Sequence, residues 1–151
     1  MDTISMIIGM GFLVLFTLPF LLIRISNVKK ERLLIARFKQ LSEKNNVVIS
    51  EFDCWNKQYV IGMDTDKNAV CYLHVLEANE VFEKILLSDV KLVHSNRTYY
   101  TILNEELIDR LELAIELKSG GSANLEFYNR ELSNGLSGEI KLLEKWQNKM
   151  N

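Results

Sequence analysis

The chain has 151 residues, a formal charge of −2 and a mean hydropathy of 0.00, averages that hide a sharp asymmetry. Between Arg24 and Lys44 seven basic residues stand against two acidic ones, whereas from Asn45 onward 17 Asp and Glu outnumber 11 Lys and Arg. An acidic region of this size argues against nucleic acid as a partner, because neutralised phosphates supply most of that affinity, and the length allows one small domain beyond an anchor.

The first stretch, Ile4 to Ile23, is almost wholly apolar, with no ionisable side chain from Thr3 through Ile23. At about 1.5 Å per helical residue it reaches roughly 30 Å, the thickness of a bilayer's hydrocarbon layer. A cleaved signal peptide would carry its basic residues before the apolar run and a small-residue cleavage site after it; here the basic residues follow the run. Residues 1–25 are therefore expected to form an uncleaved transmembrane helix. Pro19 leaves the carbonyl of Leu15 without its helical partner, which predicts a modest bend. Ser5 and Gly9, four apart, form a weak helix-pairing pattern, and a homo-oligomer through the span or the stalk is one possible consequence. The absence of charge at mid-depth argues against an ion or proton pathway.

Residues 26–45 read as a basic helical stalk without Gly or Pro, with Leu34, Phe38 and Leu41 at helical spacing. Arg24, Lys29, Lys30 and Arg32 are the expected membrane-surface contacts, and Lys and Arg beside a span are retained on the cytoplasmic side. This places the span in the plasma (inner) membrane, the amino terminus outside and the C-terminal domain in the cytoplasm. In that reducing compartment Cys54 and Cys71 are expected as free thiols.

Residues 46–151 form the third unit. Asn45-Asn46 ends the helix, and strand-like runs follow at about 47–55, 58–63 and 69–76, the last two separated by the turn-forming Asp64–Asn68. Further strands are expected at Glu83–Leu87, Val90–His94 and Thr98–Leu103. Residues 104–118 are ambiguous. Asn104, Glu105, Glu106 and Gly120 suit a helix, whereas Leu111, Leu113, Ile115 and Leu117 alternate with polar residues as in a strand. A helical turn at 104–109 followed by a strand from 110 is expected, paired through Ser119–Ser122 with Ala123–Tyr128. Leu136, Ile140, Leu143, Trp146 and Met150 define one face of a final amphipathic helix, with Ser137 or Asn134 as its cap.

Six to seven antiparallel strands closed by one amphipathic helix, carried by YVIGMDTDKNAVCYLHV, EKILLSDVKLVHS, LELAIELKSGGSANLEFYN and GEIKLLEKWQNKM, resemble the pleckstrin-homology-like (PH-like) sandwich or barrel. The texture is similar to bacterial members on single-pass anchors. The resemblance spans Val47 to Met150 and implies an adaptor for phosphoinositides, peptides or proteins. Lipid-binding members carry several basic residues around the first hairpin; here Lys57 and Lys67 are opposed by Asp53, Asp64 and Asp66, which argues against inositol phosphates.

Asp64-x-Asp66-x-Asn68 opens like a calcium loop, but Ala69 stands where Gly is needed and Val75 where a bidentate Glu belongs. Cys54, Cys71, His74 and His94 lack metal-ligand spacing, and no Ser-centred elbow, Walker loop or dinucleotide fingerprint occurs. The expectation is a non-enzymatic protein with no cofactor or metal, acting as a membrane-tethered adaptor or as an accessory subunit of a membrane complex. Its partners would be the bilayer and another membrane or cytoplasmic protein. The alternative is a lipid- or small-ligand-binding sensor with an apolar site near Leu113, Ile115 and Phe127. Trp55, Tyr59, Tyr99 and Tyr100, at the Cys54–Tyr59 bend and an Asn96–Tyr100 loop, are the candidate partner-binding residues.

Overall fold

The computed structural model describes residues 3–76, 79–133 and 135–151. A single helix, α1 (Thr3–Lys44), carries the apolar stretch and the basic stalk without interruption, with Pro19 inside it. By length and composition it is the one helix among the described residues that is able to cross a membrane, and none of its most apolar window is buried within the fold. The Ser5–Gly9 pattern falls on side chains outside the described residues.

The end of α1 is set by Asn46, whose φ of 59° places it in the left-handed region. Its N–H donates to Glu43 O (2.9 Å) and that of Val47 donates to Ser42 O (2.9 Å), a Schellman closure. The closure turns Val47 back under the helix, where it is fully buried. Residues 47–50 are consequently not strand, and β1 begins four residues later than the sequence reading placed it. The Val48 N–H is taken by the Asp64 carboxylate instead (2.9 Å).

Four strands, β1 (Glu51–Trp55), β2 (Tyr59–Asp64), β3 (Ala69–Leu76) and β4 (Asn79–Leu86), form one antiparallel sheet in chain order. A short 3-10 turn at Leu87–Asp89 then leads to a second sheet of β5 (Val90–Ile102), β6 (Glu105–Leu117) and β7 (Ser122–Asn129). The helix α2 (Glu139–Met150) closes the chain. The sheets remain separate, so the architecture is a sandwich of four and three strands and not a closed barrel.

Two corrections lie in the second sheet. The expected strands at Val90–His94 and Thr98–Leu103 are one strand, β5, which runs through register shifts between Val90 and Leu92 and between Thr98 and Tyr99. The expected helical turn at 104–109 is strand. Ile102 pairs with Glu105, and the two residues between them, Leu103 and Asn104, have φ of 50° and 65°. Two consecutive left-handed residues make a type I′ hairpin turn, whose twist matches the flanking strands. Once that turn forms, cross-strand pairing to β5 outweighs the helix propensity of the Glu-rich segment.

Between the sheets, Tyr59, Ile61, Val70 and Tyr72 meet Leu111, Leu113, Ile115, Leu125 and Phe127, and Leu143, Trp146 and Met150 of α2 complete this core. The period-two burial of Leu111, Leu113 and Ile115 is as the alternation predicts. A second core lies on the outer face of the four-stranded sheet. There Leu34, Phe38 and Val47 cover Val60, Cys71 and Leu73. β2 and most of β3 are thus buried on both faces, and the apolar stripe of the stalk packs on the domain itself. At Gly62 an added Cβ would stand 3.0 Å from Phe38 Cε1, Ile49 Cγ2 and the Glu51 carbonyl, so the bare backbone is what lets the helix approach.

The α2 N-cap position is Gly138, and not Ser137; Asn134 lies outside the described residues. Glu139, the first helical residue, ties down the approach to the helix, accepting from the N–H of Ser137 (2.7 Å) and Gly138 (2.8 Å) and from the Asn56 amide (3.0 Å). Burial pushes its carboxyl up, but these donors hold it below the usual range.

Candidate interaction surface

The orientation of the sandwich on α1 follows from its polar contacts. Arg37 forms a bidentate pair with Glu80 at 2.9 Å, and eight residues later, just past the end of the helix, the Asn45 carbonyl accepts from Lys84 Nζ (2.9 Å). β4 therefore runs along α1, with its start toward the apolar end of the helix. The opposite end holds the β2–β3 turn, where Asp64 accepts from the N–H of Val48, Asp66 and Lys67. These donors, led by Val48, hold its carboxyl below the usual aspartate range. The segment that resembled a calcium loop is thus a self-bonded turn.

The end facing the apolar part of α1 collects the β1–β2 turn and the β7–α2 loop. Glu31 of α1, Trp55, Asn56, Lys57, Leu132 and Ser133 line a cleft of about 520 Å³ there. Arg24, Lys29, Lys30 and Arg32 are all exposed on the helix leading to it. From Ile23 to Glu31 is eight residues, about 12 Å of helix.

Trp55 and Tyr59 are built into this end. Trp55 stacks between Tyr59 and Phe127 (centroids 5.3 and 4.9 Å) and donates its indole N–H to Phe127 O at 2.8 Å. Tyr59 is fully buried, stacks on His74 at 4.3 Å and donates to Glu126 at 2.7 Å. Its hydroxyl is pushed well up by burial and then by Glu126. Of the pair, only Trp55 reaches the cleft. Burial, aided by Glu31, raises the neighbouring Cys54 thiol to about 11, so it is protonated and a poor nucleophile at neutral pH. Cys71 faces the outer core and His74 the inner one, so these two do not converge.

Tyr99 and Tyr100 lie elsewhere, within strand β5 and not on a loop. Tyr100 is covered by the Arg130 guanidinium at 4.2 Å, which is held by Asp109 at 2.9 Å. Tyr99 is 54% exposed. The four aromatic candidates therefore divide into two groups. The pairing of β6 with β7 stops at Arg110↔Asn129, while β5 and β6 continue together from Tyr99↔Ile108 to their turn. A two-stranded hairpin projects beyond the sheet, and Leu103 at its apex, 94% exposed, is a feature the sequence reading did not single out. The local signal was masked, because Leu103-Asn104 is followed by a Glu-rich segment with a helix-like pattern.

Among the described residues no three His, Cys, Asp or Glu side chains converge as metal ligands. Comparison with protein-family models, with curated proteins and with solved structures finds no match to this chain.

Proposed function

We propose that this chain is a single-pass membrane protein whose PH-like β-domain is held against the bilayer to bind a protein partner, without catalysis of its own. In this reading α1 spans the plasma membrane, its basic segment from Arg24 lies on the cytoplasmic side, and the domain is cytoplasmic. The observation that carries it is the continuity of α1. Exposed apolar side chains such as Phe12, Phe16 and Phe20 lead, in one helix, to Leu34 and Phe38 buried on the sheet. Such a helix fixes the domain's height and orientation rather than letting it swing on a flexible linker, which suits docking beside a membrane neighbour.

The PH-like assignment is supported by the order of elements: four strands, then three, then a closing helix. A protein partner is favoured over an apolar ligand because Leu113, Ile115 and Phe127 are fully buried among core side chains. The acidic balance beyond Asn45 favours a partner with a basic face.

Affinity purification of the full chain in mild detergent tests the proposal. Stoichiometric recovery of a protein that is lost when Leu132 and Ser133 in the cleft are both changed to Arg is the expected result. Repeated recovery as a lone monomer would refute it.

A further inference from the structure

Leu103 combines two properties that stability alone does not explain. Its φ of 50° is costly for a bulky side chain, and a type I′ turn is served best by Asn or Gly at that position. It is also 94% exposed, beside Ile102 at 49%, Tyr99 at 54% and Leu107 at 43%. A strained backbone that presents an uncovered aliphatic side chain points to a contact outside the fold.

The location of this tip selects the contact. β6 begins and β7 ends at the same end of the sandwich. Beyond Asn129, the Leu132–Ser133 loop lines the cleft that also contains Glu31 of α1. The hairpin therefore projects from the end that faces the apolar part of α1. From Arg110 to Glu105 is five strand residues, about 17 Å. The end of the apolar stretch lies about 12 Å of helix from Glu31, so the hairpin covers that height even when inclined by about 45°. We infer that the tip of the β5–β6 hairpin, led by Leu103, inserts into the bilayer interface as a second membrane contact beside α1. This rests on α1 spanning the membrane. Tyr99 supplies the amphipathic ring that favours the headgroup level. Glu105 and Glu106 lie beside the turn, so a zwitterionic surface, which does not repel them, is the one used in the test. Arg130 over Tyr100, braced by Asp109, stiffens the hairpin base.

The test uses the full chain in phosphatidylcholine vesicles whose acyl chains are brominated near the headgroup, with Trp emission as the readout. Leu103→Trp is compared with Leu92→Trp, exposed near the other end of β5, and with Phe20→Trp in the span, after subtraction of the native Trp55 and Trp146 signal. Loss of emission and a blue shift for Leu103→Trp, with Leu92→Trp unaffected, is the expected result. If Phe20→Trp is blue-shifted and Leu103→Trp emits as in water, the inference falls and the anchor stands. If Phe20→Trp also emits as in water, the anchor reading itself falls. A Leu103→Trp signal that is blue-shifted but insensitive to bromine assigns the tip to a protein surface, such as a second copy, and overturns the inference. Quenching at both Leu103→Trp and Leu92→Trp means that the domain lies flat, and it overturns the inference as well. If Leu103→Trp disturbs the far-UV circular dichroism, Tyr99→Trp reads the same hairpin.

Discussion

Phe38→Ala asks whether the stalk is a tether or part of the domain. Phe38 is fully buried between α1 and the four-stranded sheet, its ring edge over the backbone of Gly62. Truncating a buried Phe costs about 3–5 kcal/mol, a large part of the roughly 5–15 kcal/mol by which a domain is stable. With a urea slope near 2 kcal/mol/M, the unfolding midpoint should fall by about 2 M at unchanged slope. The assay is urea unfolding of the full chain in detergent micelles, followed by the emission of Trp146 in a Trp55→Phe background, Trp146 being fully buried in the other core. That choice matters, because Trp146 responds only if the two cores unfold together. Leu33→Ala, on the exposed side of the same helix, is the control and should stay within about 0.5 kcal/mol. Gly62→Ala should destabilise on its own by about 1–3 kcal/mol through overpacking, and by less in the Phe38→Ala background, where one of its three close neighbours is gone. A midpoint for Phe38→Ala within about 0.3 M of wild type would refute the packing of α1 as a structural element.

Asp64 gives a pH test. Its folded pKa is depressed by donors from Val48, Lys67 and Asp66, so its stabilisation is present above the unfolded aspartate pKa and is lost as pH falls through the lowered value. Stability should therefore decline from about pH 4 downward, and Asp64→Asn should lower stability at neutral pH while flattening that acid limb; identical limbs would contradict it. Glu139→Ala leaves the Ser137 and Gly138 N–H groups without their acceptor and the Asn56 amide with only Ser133, and should cost about 1–3 kcal/mol, measured by thermal unfolding. Leu103→Asn relieves the left-handed strain and should protect the hairpin amides by about 1 kcal/mol in hydrogen exchange. Unchanged protection would mean that the strain is not stored there.

The sequence by itself determined the elements whose signal is local. Twenty uncharged apolar residues admit few other readings than a membrane-length helix. Asn45-Asn46 marked the helix end because Asn tolerates the left-handed conformation, and the spacing of Ile140, Leu143, Trp146 and Met150 gave the inward face of α2, whereas Leu136, expected on the same face, lies ahead of the helix and is exposed. The alternation of Leu111, Leu113 and Ile115 gave the inward face of β6 for the same reason. Of the candidate site, the basic residues on α1 and the bend at Trp55 were legible.

The tertiary structure alone decided what depends on partners distant in the chain. Residues 105–109 carry a helix-like local pattern and became strand because Ile102 and Tyr100 offered pairing across a two-residue turn. Tyr59, a candidate partner-binding aromatic, is core, because Trp55 and His74 stack on it. The run AVCYLHVL, apolar but for His74, is covered on two faces, and only the fold revealed that the second cover is the stalk, through Leu34 and Phe38. Local propensity is worth a few tenths of a kcal/mol per residue, whereas burying a large side chain is worth about 1.5–3 kcal/mol. Wherever the two disagree, the contact made far along the chain sets the outcome.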